Sequence, residues 1–233
     1  MNSRARVLDA LSEVHDPELD EPITSLGFVS SCAVSPEGDV DVVLRLPTPQ
    51  CAPNFAYLMA ADARNVLRRL PDVGRIAVRL DDHYTGGEIN AAIARGAGFA
   101  GAFPGETDDD HLEVLRELFE RKALVARQAR LCGALLVDGA TAEQVTDLHL
   151  ADLPDVPDTR RCLELRGRLG ISCDKESPAF VAANGEPVRA DRLTQWLRMA
   201  RLVQASLEVN GGICRSLLEV RRQRAAEPEE VAT

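Results

Sequence analysis

The chain has no apolar run approaching the ~18 residues that a membrane-spanning helix needs, and no basic segment leads into an apolar one. A membrane span and a secretory leader are therefore not expected, and the protein is expected in the cytoplasm. Lysine is almost missing: of 27 basic residues only Lys122 and Lys175 are lysine, a trait of genomic base composition rather than of chemistry. Positive charge is in deficit as well. The formal net charge is -10, with acidic residues in excess in both halves, so nucleic acid is not the expected partner. Even the arginines at Arg160, Arg161, Arg166 and Arg168 then point to a protein partner.

Several motifs are absent. The six cysteines, Cys32, Cys51, Cys132, Cys162, Cys173 and Cys214, include no Cys-x-x-Cys and no Cys-x-x-His. In a reducing compartment that pattern argues against a disulfide framework and against a zinc site built from local ligands. The glycine pairs at Gly86-Gly87 and Gly211-Gly212 stand outside any strand-to-helix phosphate loop, so no nucleotide site follows. No nucleophile, histidine and acid fall at a spacing that supports catalysis, and an enzyme is not expected. Asp16 and Glu18 could pair for acid–base work or a di-iron site, yet across Pro17 they fit a helix stop equally well.

What is present is a clear order of elements. Val7, Leu8, Leu11 and Val14 predict a helix over about 3–14, stopped by Pro17. Two strands follow around the Pro36-Glu37-Gly38-Asp39 turn, with Val40, Val42, Leu44 and Leu46 alternating on the second. Pro53 to Leu70 reads as a helix with proline in its first turn. Ile76, Val78 and Leu80 mark a third strand. Thr85 and Glu88 have capping-box spacing for a short helix.

Beyond a glycine-rich turn the texture becomes helical. A long helix follows Thr107 as N-cap, with Asp108, Asp109 and Asp110 favoured by its dipole. Thr141 and Gln144 open a short helix, another covers Thr159–Leu169, and a last long one ends at Gly211. The expected fold class is α+β: an α-β-β-α-β(-α) domain with a three-stranded or mixed sheet packed on helices over residues 1–100, then an all-helical region over 106–226. The break lies near 98–107, and 227–233 is expected to be a disordered tail. Leucine stripes in the helical region read as core, with some surface left for a partner or for self-association.

Cys51 lies at the strand-to-helix junction, flanked by Pro49 and Pro53. Unpaired N–H groups at a helix start favour a thiolate there, the form that ligates metal or attacks as a nucleophile. His83, just past the third strand, is a candidate second ligand, although a loop histidine bonded to backbone explains it as simply. Cys173, in a polar loop with Asp174, Lys175 and Glu176, is a further candidate. Cys132 and Cys162 read as buried, and Cys32 and Cys214 as structural.

Four ordered blocks carry a resemblance: "DPEL" at Asp16–Leu19, "ITSLGFV" at Ile23–Val29, "TPQC" at Thr48–Cys51 and "LPDVGRIAVRL" at Leu70–Leu80. They are similar to the PaaD/SufT-type family of iron–sulfur cluster assembly factors, the MIP-eighteen domain or domain of unknown function fifty-nine. The resemblance covers about residues 1–97, and the helical region matches no family pattern. It implies delivery of iron or an iron–sulfur cluster to a client metalloenzyme such as an oxygenase system. It makes Cys51 the ligating or transfer thiol, Thr48 its turn partner, and Asp16 and Glu18 an acidic patch. One departure is that "DDHYTGGE", Asp81–Glu88, stands where the family commonly has Asp-Pro-Pro-Trp.

The cargo would be bound transiently. A cluster needs about four protein ligands, so Cys51 and His83 would need help from a second protomer, a client protein or Cys173. Two other function classes stay open on these residues: a metal-free chaperone module that assists assembly of a client complex, and a thiol-redox protein using Cys51.

Overall fold

The computed structural model describes residues 3–105 and 109–226. The expected tail at 227–233 and the expected N-cap at Thr107 with Asp108 lie outside the described residues, as do the side chains of Asp109 and Asp110. Two compact units emerge. One holds the described residues up to Glu113 together with those from Asn210 on; the other spans Val114–Val209.

In the first unit the order is α1 (Ser3–Leu11), β1 (Val29–Val34), β2 (Val40–Leu44), α2 (Pro53–Leu67), β3 (Ile76–Leu80), α3 (Gly86–Arg95) and α4 (Phe99–Ala102). This is the α+β order read from the sequence. The hairpin closes where Gly38 takes φ +89° and Ser35 Oγ accepts the N–H groups of Glu37 and Asp39. A positive φ there is what makes glycine the suitable residue. β2 is central, antiparallel to β1 and parallel to β3, so the sheet is mixed with order β1-β2-β3. Its period-two burial follows from the pleat: Val40, Val42 and Leu44 point inward, while Asp41 on the other face pairs with Arg79.

α2 makes the crossover between the parallel strands, with Pro53 in its first turn and Leu58, Met59, Ala63 and Leu67 buried against the sheet. Asn90 of α3 brackets the end of β3, its Oδ1 accepting Leu80 N–H at 2.7 Å and its Nδ2 donating to Leu80 O at 2.9 Å. α1 is shorter than predicted. It ends at Leu11, and Glu13 and Val14 continue only as tighter turns onto Ala10 and Leu11.

The second unit is built from most of α5 (Asp109–Val137), then α6 (Ala142–Thr146), a 3-10 turn at Leu150–Asp152, α7 (Pro157–Arg168) and the first half of α8 (Ala190–Ala226). Leu124, Cys132, Val145, Cys162, Leu165, Phe180 and Leu197 form its core. The expected capping box of Thr141 and Gln144 is present at α6. Buried Gln128 holds the loop at Val181 through both its amide oxygen, at 2.7 Å, and its amide nitrogen, at 3.0 Å. Asp158 takes salt bridges from Arg127 and Arg130.

α8 departs from the sequence reading. It runs through Gly211 and Gly212 to Ala226 instead of ending there. Two mid-helix glycines cost about 1 kcal/mol each relative to alanine. The segment beyond them offsets this by packing on the first unit: Leu218 is 2% exposed in that unit's core, Arg215 pairs with Glu21 and Arg222 donates to Gly27 O at 2.6 Å. Residues 210–226 therefore group with the N-terminal unit, where the sequence had assigned them to the helical region.

Candidate functional site

Past β2 the chain turns at Thr48–Cys51, where Cys51 N–H donates to Thr48 O at 3.4 Å and Thr48 Oγ1 lies 3.6 Å from Cys51 Sγ. Ala52 is the N-cap of α2, so the half-buried Cys51 precedes the cap by one residue. The pairing of Thr48 with Cys51 expected from the family pattern is thus a side-chain contact.

The loop after β3 braces this turn. Tyr84 N–H donates to Pro49 O at 3.0 Å, and His83 Nε2–H donates to Cys51 O at 2.8 Å. Because a carbonyl can only accept, Nε2 carries the proton, which leaves Nδ1 to accept from Thr85 N–H at 3.3 Å. Both ring nitrogens are engaged. His83 would have to release a partner to ligate metal, and in this arrangement it positions the Cys51 backbone. Thr85 Oγ1 also meets His83 Nδ1, at 3.2 Å, and makes no cap bond to α3. The capping box predicted for Thr85 and Glu88 does not form, because the threonine hydroxyl is turned toward the histidine.

Asp16 organises the other side. Its Oδ1 accepts the N–H groups of Glu18 and Leu19, both at 2.9 Å, so the Asp16-Pro17-Glu18 stretch is a side-chain-capped turn, several residues past the end of α1. Burial, with help from the carboxylates of Glu18 and Glu21, pushes the Asp16 pKa up from 3.8 to about 6. Glu18 itself accepts from Asn210 Nδ2 at 3.3 Å.

α8 brings a residue that the sequence reading had set aside as structural. Cys214 is half-buried on the same hydrophobic core that Cys51 packs against. Burial, then Asp16, Cys51 and Glu18, push its thiol up to about 11. Nothing local marks this placement, since the Gly211-Gly212 pair reads as a helix end. The remaining cysteines stand apart. Cys132 and Cys162 are buried in the second unit as expected, Cys32 is buried in β1, and Cys173 is exposed in the second unit with Sγ 3.5 Å from Leu163 O. Among the described residues, no three His, Cys, Asp or Glu side chains form a ready-made metal set.

Comparison with known proteins bears on the N-terminal part of the chain. The model of the family described as iron–sulfur cluster assembly protein matches residues 4–78, which hold the Asp16 turn, the hairpin, Cys51 and most of β3. An uncharacterized protein of Methanocaldococcus jannaschii is 30% identical over 93 residues, 40% of this chain and 96% of the relative. No solved structure matches the chain. The His83 loop and α8 lie outside the residues that the family model matches. With a relative 30% identical and matched over nearly its whole length, and the family model matching residues 4–78, the chain belongs to the iron–sulfur cluster assembly protein family.

Proposed function

We propose that the protein is an accessory factor, not a catalyst, that accepts iron or an iron–sulfur cluster and passes it to a client metalloenzyme. Cys51 is the transfer thiol. The observation that carries this reading is the Cys51 turn itself: a half-buried thiol with Thr48 Oγ1 beside the sulfur and His83 clasping its carbonyl, in a chain of the assembly family. A backbone held at two points keeps the sulfur in place while a cargo atom binds and leaves, which lowers the ordering cost of each encounter. The cargo is a substrate in transit, so a full ligand set within the chain is not required. No helix among the described residues is long and apolar enough to cross a membrane.

Anaerobic incubation of the full chain with ferrous iron and sulfide tests the reading. Visible cluster absorption should appear with the wild type and be lost in Cys51→Ser, and loaded protein should activate an apo ferredoxin-type acceptor. Absorption that persists unchanged in Cys51→Ser sinks the assignment of the thiol. No absorption in either protein, with a client still dependent on the chain, would favour a metal-free chaperone.

A further inference from the structure

α8 is pinned on both sides of Cys214. Four residues earlier Asn210 donates to Glu18, and directly after it Arg215 Nη1 reaches Glu21 Oε2 at 2.6 Å. Four residues later Leu218 is buried in the core of the first unit. Seven residues later Arg221 donates to Leu46 O and to the Asp82 carboxylate, with Nη2 2.7 Å from Asp82 O. Residues three, four and seven apart share one face of a helix. Asn210, Cys214, Leu218 and Arg221 are therefore one stripe, and its partners are the Asp16–Glu21 turn, the strand end before Cys51 and the loop that holds His83. Cys214 sits mid-stripe, packed on the same core as Cys51.

We propose that Cys214 is the second thiol ligand of the Cys51 site, so that one chain offers iron or an iron–sulfur cluster two sulfurs in cis. The inference rests on the reading of Cys51 as transfer thiol and adds what the helical extension contributes to it. Two sulfurs make a half-site. They hold a cargo that prefers about four protein ligands, while the remaining positions belong to the protein that hands it over or receives it. Each exchange forms one iron–sulfur bond to Cys51 or Cys214 and breaks one to a donor thiolate. The displaced thiolate takes the proton that the incoming thiol releases, and no electron moves.

Cobalt(II) alone, added anaerobically to the reduced full chain, is the probe, because each bound thiolate contributes to its sulfur-to-metal absorption. All proteins carry Cys173→Ser, which removes the exposed loop thiol. The parent should show a two-thiolate band. Cys51→Ser and Cys214→Ser should each lose about half of it and bind cobalt at least about tenfold more weakly. The double variant should lose the band. A Cys214→Ser protein that keeps the parent band and affinity overturns the inference, and if Cys51→Ser has lost its band, the transfer-thiol reading survives. No thiolate band in the parent, or a band unchanged in Cys51→Ser, overturns both.

Should Cys214→Ser fail to fold, mass-spectrometric footprinting of the parent decides. Cobalt should protect Cys51 and Cys214 together from maleimide. Protection of Cys51 alone overturns the inference.

Discussion

Asp16→Asn should make the protein more stable at neutral pH and leave it unchanged in acid. Asp16 is 8% exposed, and burial raises its pKa from 3.8 to about 6. At 1.36 kcal/mol for each pH unit, keeping that carboxylate ionised costs the folded state about 3 kcal/mol. The sign follows from proton binding. A group whose folded pKa is raised gives its full stabilisation below the unfolded value of 3.8, and that stabilisation is lost as pH rises through about 6. The amide of asparagine keeps an oxygen to accept the Glu18 and Leu19 N–H groups, so the turn persists while the buried charge goes.

Urea unfolding followed by circular dichroism, on both proteins from about pH 3.5 to 8, gives the difference directly, and other carboxylates cancel in it. The variant should gain up to about 3 kcal/mol above pH 6 and converge on the wild type near pH 4. A difference independent of pH, or a wild type that is the more stable protein at pH 7, would refute the reasoning. The first result would mean that the N–H bonds to the carboxylate balance its burial, and the second that they outweigh it.

Other consequences follow from single contacts. Leu218→Ala should destabilise the first unit by about 2–4 kcal/mol and speed hydrogen exchange in 210–226, whereas a shift below about 1 kcal/mol would mean that the core does not need α8. Gln128→Leu strands the Val181 N–H and carbonyl and should cost the second unit about 2–4 kcal/mol. The fluorescence of Trp196, the one tryptophan, reports this, because it packs in that unit with its ring 6.4 Å from Phe180. Asn90→Ala removes the clamp on Leu80 and should cost about 1–3 kcal/mol, read as a lower urea midpoint, and an unchanged midpoint would show that the clamp is idle.

Sequence alone was enough wherever neighbours along the chain decide. The Ser35–Asp39 turn, the alternation of Val40, Val42 and Leu44, proline in the first turn of α2 and the Thr141–Gln144 box depend on residues a few positions apart, and each stands as read. The four family blocks likewise located Cys51 and its contact with Thr48. Distant contacts decided the rest. Thr85 had the spacing of a cap, but the His83 ring took its hydroxyl. Gly211 and Gly212 had the look of a helix end, but Leu218 and three arginines beyond them find partners on the first unit that outweigh the glycine cost. Cys214 packs on the core it shares with Cys51 only because that helix continues. Local spacing fixes which elements form, and burial and ion pairing between remote segments fix which of them share a site.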